Sequence, residues 1–192
     1  MIKKDRSVIL NKTYLLKMFP LFYQKPLEDQ LSLPEILFLN ILINILQDIK
    51  EISLERLATV LPLPILFESR RKKIQRFISL PSINIKKLWF PIIKSWLEQD
   101  FAPNQVIYLV IDRTRWARVN LFMVSLVYEQ RSIPIYFQLL NKLGSSNECE
   151  QTEILSSVLP LFVKYKVCLL GDREFCSAKL ANWLRESGVC FV

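Results

Sequence analysis

Residues 106–116 read Val106-Ile107-Tyr108-Leu109-Val110-Ile111-Asp112-Arg113-Thr114-Arg115-Trp116, VIYLVIDRTRW: six apolar residues, a carboxylate, then a basic and aromatic tail. The run predicts a strand buried on both faces, because Val, Ile and Leu gain from cover on either side of a sheet. An unpaired carboxylate inside such a strand would cost several kcal/mol. Asp112 is therefore expected where the strand opens, with Arg113 and Arg115 beside it.

Downstream, VNLFMVSLVY at 119–128 and IPIYFQLL at 133–140 are strand-like, and the short polar EQRS between them predicts a hairpin. A polar link, NKLGSSNE, leads to a stretch with Ile154, Leu155, Val158, Leu159 and Phe162 on one helical face. KVCLLGD at 166–172 is a second apolar strand that ends in an acid. A helix over about 176–187 follows, with Leu180, Trp183 and Leu184 inward; Gly188 stops it, and VCFV opens another strand. The predicted order is strand, strand, strand, helix, strand, helix, strand, an α/β arrangement with a mixed sheet. VCFV has no residues after it to cover its edge, so the chain is expected to be cut short.

Upstream the pattern changes. From Leu33 to about Pro103 apolar residues recur at spacings of three and four, punctuated by prolines at 62, 64, 81, 91 and 103. An all-α region over 1–103 and an α/β domain over 104–192 follow from this. Within the first, LERLATVL places Leu54, Leu57, Ala58 and Leu61 on one face, PLP at 62–64 interrupts, and SRRKKIQR at 69–76 carries five basic residues and no acid. Helix, break and basic helix over about 53–79 is the outline of a helix-turn-helix unit. In a helix, Ile74, Phe77 and Ile78 face inward and Lys72, Lys73 and Arg76 outward, while Arg70 and Arg71 lie nearer the apolar side, where their stems can cover it. All five are candidate DNA contacts; a charge run is also what a solvated face looks like.

Composition supports a polyanionic partner. The chain of 192 residues has a net charge of +8; the first hundred residues hold 16 basic against 10 acidic side chains and the rest 10 against 8. Such an excess favours nucleic acid or an anionic membrane surface. There is no histidine, and the four cysteines lack paired CxxC spacing, so a zinc-finger framework and imidazole acid–base chemistry are excluded and reduced cytosolic thiols are expected. Three glycines leave no glycine-rich phosphate loop. MIKKDRSVIL has no apolar stretch of the signal-peptide kind after it, and ILFLNILINIL at 36–46 falls well short of the ~20 residues that span a bilayer. A soluble, cytoplasmic protein without membrane contact is expected. Trp89, Trp96, Trp116 and Trp183 read as core residues; Trp116, close to the acid, is the exception worth testing.

Asp112 and Asp172 occupy equivalent places, each after an apolar run and each followed at once by an arginine. In an open α/β sheet ligands gather beyond the carboxyl ends of strands, so two neighbouring strands would bring both acids into one crevice. Paired carboxylates suit Mg²⁺ or Mn²⁺, completed by waters and phosphate oxygens, and Arg113, Arg115 and Arg173 would add the positive charge that phosphodiesters need. An Asp at a strand end is also a common turn former or helix N-cap.

These residues carry a resemblance. IDRTRW with its apolar hairpin strand, RSIPIYFQLL, GSSNECEQ, LLGDREF and LANWLRESG are similar to the insertion-sequence-four family of Asp-Asp-Glu transposases, over about 106–192. The resemblance implies a ribonuclease-H-like core that cuts DNA at transposon ends and joins the 3′-hydroxyl to a target with a divalent metal. It assigns Asp112 as the first catalytic acid and metal ligand and Asp172 as the second. The third, a Glu within a Tyr-Arg-Glu-Lys signature on a later helix, has no counterpart before Val192. Metal binding and cleavage by this chain alone are thus expected to be weak, and Glu174 is expected not to substitute, since the family's third ligand arrives from a separate helix. The expected partner is DNA at transposon ends, with a homodimer left open and a nucleoid-associated location; a non-catalytic DNA-binding fragment is the alternative.

Overall fold

The computed structural model describes residues 19–192 apart from Leu143. The chain divides into two compact units, Met1–Trp96 and Leu97–Val192. The first is helical: α1 Leu21–Gln30, α2 Leu33–Ile49, α3 Leu54–Val60, α4 Phe67–Ile78 and, after a π-helical turn at Ile85–Trp89, α5 Phe90–Asp100, within which the division falls. Any part the first eighteen residues play in DNA binding lies outside the described residues.

Local chemistry accounts for the helix ends. Before α2 the Ser32 N–H and hydroxyl both donate to the Glu35 carboxylate at 2.7 Å, which satisfies a donor at the helix start. Ser53 accepts from the Arg56 N–H at the start of α3. α3 and α4 then bury one face against α2: Leu57, Ala58 and Leu61 meet Ile74 and Phe77, with Phe38 and Leu42 from α2, and the Phe38 and Phe77 rings pack edge to face with centroids 5.0 Å apart. The expected inward faces of 54–61 and 69–76 are thus formed, with one difference. Ile78, the last residue of α4, is 56% exposed, while Phe77 before it and Leu80 and Ile83 after it pack on the core.

The second unit is a five-stranded mixed sheet, β1 Val106–Trp116, β2 Val119–Tyr128, β3 Arg131–Leu140, β4 Lys166–Leu170 and β5 Cys190–Phe191, in the order β3-β2-β1-β4-β5. β1 is antiparallel to β2 and β2 to β3; β4 is parallel to β1, and β5 to β4. Helices α6 Glu148–Val158 and α7 Ala178–Glu186 sit between β3 and β4 and between β4 and β5, so the predicted chain order holds. Glu129 and Gln130 turn the β2–β3 hairpin at φ 47° and 62°, values that match the twist of tight hairpin turns. Ile154, Leu155, Val158 and Phe162 are buried as expected, as are Leu180 and Leu184, while Trp183 is half-buried.

β1 differs from the expectation in two ways. It runs on past Asp112 to Trp116, held by β2, so the acid stands within the strand and not at its end. It is also covered on one face only: Ile107, Leu109 and Ile111 are buried, whereas Tyr108 is 47% exposed. Among the described residues both crossover helices serve the same layer, α7 packing over Ile111, Leu169 and Phe191 and α6 against α7. A run of apolar residues without alternation cannot report that one face is open, because the pattern of the buried face is repeated on the other.

Candidate functional site

β1 and β4 pair in register from Val106 with Lys166 to Val110 with Leu170. The pairing ends there, and Asp112 and Asp172 each follow two residues beyond the last pair, Asp112 still within β1 and Asp172 at the cap of the turn after β4. Gly171 stands between Leu170 and Asp172. A Cβ there would stand 3.1 Å from Ile111 Cγ2 and 3.1 Å from Phe175 Cβ, closer than ordinary contact, so an added side chain would press on both. Gly171→Ala is expected to lower stability by about 1–2 kcal/mol through overpacking, read as a drop in thermal midpoint. An unchanged midpoint would mean that Ile111 and Phe175 give way freely.

Both carboxylates are exposed. The Thr114 hydroxyl donates to Asp112 Oδ2 at 3.2 Å, and Asp172 Oδ1 accepts the Glu174 N–H at 2.9 Å, capping the short 3-10 turn Arg173–Phe175. Asp172 therefore fills the N-cap role that its position also allowed, which leaves Oδ2 for other work. Two carboxylates that converge would suit a hard cation that keeps several waters. Among the described residues no group of three or more Asp, Glu, Cys or His gathers as a metal site would need. The cavity of about 240 Å³ next to Asp172 is walled by Ile111, Leu169, Phe175, Leu180, Leu184 and Phe191; it is apolar and offers no further acid.

Glu174 is engaged elsewhere. Arg113 Nε donates to both of its oxygens at 2.7 Å, Arg113 Nη2 lies 2.6 Å from Oε2, and the Ser146 N–H and hydroxyl each donate to Oε1 at 2.7 Å. Gln151 Nε2 in turn donates to Ser146 Oγ, Arg113 Nη1 to Asn120 Oδ1, and Asn120 Nδ2 to the Gly144 carbonyl. Burial pushes the Glu174 carboxyl up, but the hydrogen bonds from Arg113 and Ser146 and the arginine charge outweigh it and bring the group down to about 2. The hydrogen bonds to Glu174 hold Arg113 above its ordinary range against partial desolvation, helped by the charges of Glu174, Asp172 and Asp112. The network ties β1, β2, the 144–147 link and the turn after β4 into one piece directly behind the acid pair.

Arg113, expected beside DNA phosphates, is thus turned toward the covered side of the sheet, while Arg115 and Arg173 are exposed. Asn120, Ser146 and Gln151 were not singled out from the sequence. The one available signal was Asn120, a polar residue in phase with Phe122, Val124 and Leu126 in VNLFMVSL. The side chain of Trp116 lies outside what is described.

In the helical unit the five basic residues of 70–76 separate by environment. Arg70 Nη1 donates to the carbonyls of Thr59 and Leu61 at the end of α3, and Arg71 pairs with Glu55 at 3.3 Å. Lys72, Lys73 and Arg76 are exposed on one face of α4, with Lys73 Nζ 5.0 Å from the centre of the Phe38 ring. Among the described residues no helix is long and apolar enough to cross a membrane.

No protein-family model and no curated protein matches the chain. Among solved structures, it is similar to the Mos1 transposase catalytic domain with Raltegravir and Mn, at 12% identity and a TM-score of 0.31 over 56% of this chain and 57% of that one. A crystal structure of the catalytic domain of Mos1 mariner transposase aligns at 12% identity and 0.31 over 59% and 61%. The chain spans less than two thirds of either structure.

Proposed function

We propose that the chain is a DNA-binding protein of the Asp-Asp-Glu transposase type, with a ribonuclease-H-like sheet that supplies two of the carboxylates of a divalent-metal site. The observation that supports this reading is the parallel pairing of β1 with β4 up to Val110 and Leu170, with Asp112 and Asp172 each two residues beyond the last pair. Asp112 and Asp172 would hold Mg²⁺ or Mn²⁺, which when bound stabilises charge on phosphodiester oxygens and eases deprotonation of a water or hydroxyl. Arg115, three residues after Asp112, and Arg173, next to Asp172, would meet the phosphates. The Arg113–Glu174 pair keeps β1 and the turn after β4 in place, a positioning role. Lys72, Lys73 and Arg76 would bind the duplex from the helical unit.

With two carboxylates alone, binding of the cation is weak and cleavage by this chain is impaired. The engagement of Glu174 by Arg113 and Ser146 favours the companion reading of a non-catalytic DNA-binding fragment, because that carboxylate is not available to complete the site. Titration of the full chain with Mn²⁺, followed by the spin-resonance signal of the free ion, is expected to show one weak site that Asp112→Asn removes. Binding indifferent to that substitution would sink the site, and robust Mn²⁺-dependent cleavage of duplex DNA abolished by Asp112→Ala would overturn the impaired reading.

A further inference from the structure

The link into α4 carries an apolar cluster that the core does not use. Ile65, Leu66 and Phe67 are 44%, 81% and 37% exposed, three large apolar side chains in succession. Leu66 is the N-cap of α4 and makes no side-chain hydrogen bond there, although Ser, Thr, Asp and Asn are the favoured residues at that place. Leu66 is the member that packing least accounts for; Ile65 and Phe67 flank it and are more than half covered. Pro62 and Pro64 precede it and limit the conformations of the link.

From this tip the exposed residues Ser69, Lys72, Lys73 and Arg76 continue along α4 at spacings of three and four, so they share one face. Arg70 and Arg71 are held by Thr59, Leu61 and Glu55, which leaves Lys72, Lys73 and Arg76 as the positive charge of the stripe. An open groove of about 450 Å³ borders it, with Phe38, Phe77 and Leu80 in its lining, Lys73 and Arg76 at hand, and one acid, Glu35. Apolar tip and basic stripe together complement an object that is anionic along its edges and apolar between them.

A duplex and an anionic membrane both have that character, and the packing of α4 separates them. A helix that lies in a membrane interface sinks its apolar face into lipid, whereas Ile74 and Phe77 on the apolar face of α4 are buried against Phe38, Leu42 and Leu57. What remains outward is a face with three basic residues against one acid, Glu68, and an apolar end. A helix of 12 residues is ~18 Å long, and the major groove, ~12 Å wide, admits it and presents the 5-methyl groups of thymine to apolar side chains.

We propose that Ile65, Leu66 and Phe67 contact thymine 5-methyl groups in the major groove while Lys72, Lys73 and Arg76 hold the flanking phosphates, so that the tip of α4 sets a preference for thymine-bearing sites. This rests on the reading of the chain as a DNA-binding protein and goes beyond it by naming the chemical group read. The phosphate contacts set affinity and register; the methyl contacts distinguish one sequence from another.

Full-length protein is titrated into a fluorescent 30-base-pair duplex of alternating A·T pairs and into the same duplex with deoxyuridine for thymidine, which differs only in the 5-methyl groups. Wild type is expected to bind the uracil duplex about 5-fold more weakly. Leu66→Ser, which places a favoured N-cap residue at an exposed position and so preserves the fold, is expected to bind both duplexes alike with the salt dependence of wild type. Equal binding of the two duplexes by wild type, with affinity still falling steeply with salt, overturns the methyl reading and leaves DNA binding intact. Absence of salt-dependent binding to either duplex overturns both. Binding to phosphatidylserine vesicles that Leu66→Ser removes, without discrimination between the duplexes, overturns the proposal in favour of a membrane surface.

Discussion

Arg113→Ala is expected to destabilise the Leu97–Val192 unit by about 3 kcal/mol, the low end of the cost of breaking a covered ion pair, and to lower its thermal midpoint by more than about 10 °C. The Arg113 and Glu174 side chains are 22% and 12% exposed, so removal of the guanidinium leaves a largely covered carboxylate with only the Ser146 donors. The low end applies because the network lies near the surface, where water can relieve part of the charge. Thermal unfolding of the full chain, with hydrogen exchange followed across 97–192, measures it. Protection unchanged in β1, β4 and the 144–147 link would mean that the ion pair is a surface ornament.

The same pair gives the unit an acid limit. The Glu174 carboxyl is about 2 in the folded chain against an ordinary 4.5. A depressed carboxyl contributes stability that is complete above its unfolded value and is lost as pH falls toward its folded one. Wild type is therefore expected to lose stability between about pH 4.5 and 2, roughly 3 kcal/mol in all, and Glu174→Gln should be less stable than wild type at pH 7 with a flatter dependence across that window. Parallel curves for the two proteins would show that other carboxylates set the limit.

Lys72→Ala, Lys73→Ala and Arg76→Ala combined are expected to weaken duplex binding by about 10²–10³-fold at low salt, and to reduce the slope of log affinity against log salt by about 3, one for each phosphate that is no longer neutralised. Arg70→Ala serves as the contrast. Its guanidinium holds the Thr59 and Leu61 carbonyls at the end of α3, so the loss falls on stability, with the salt slope unchanged. Duplex titrations at several salt concentrations separate the two effects. A slope that responds equally to Arg70→Ala and to the triple substitution would remove the distinction between phosphate-facing and core-facing members of the basic run.

Order along the chain was legible because periodicity and turn chemistry are local. VNLFMVSLVY, the EQRS turn, the amphipathic stretch ending near Phe162 and the Gly188 stop each report their own conformation through residues a few positions apart. Leu57, Ala58, Leu61, Ile74 and Phe77 likewise declared an inward face by spacing alone, and the same spacing misplaced Ile78, the last residue of α4. For the acid pair, residue type and matched placement after apolar runs were enough to nominate Asp112 and Asp172.

What the sequence by itself determined is which residues could act: two acids behind two apolar strands, and a basic helix behind a proline break. Only the tertiary structure decided which of them are free to do so. Arg113 and Arg115 look alike in RTRW, but Arg113 is drawn inward to Glu174 and Arg115 is left exposed. Arg70 and Lys73 look alike in SRRKKIQR, but α3 ends beside the first and not beside the second. Both outcomes depend on partners that lie outside the motif itself, 61 residues away for Arg113 and 9 for Arg70. A charge is committed by whichever opposite charge or unpaired carbonyl folding brings within hydrogen-bond reach, and that distance is set by the packing of whole elements.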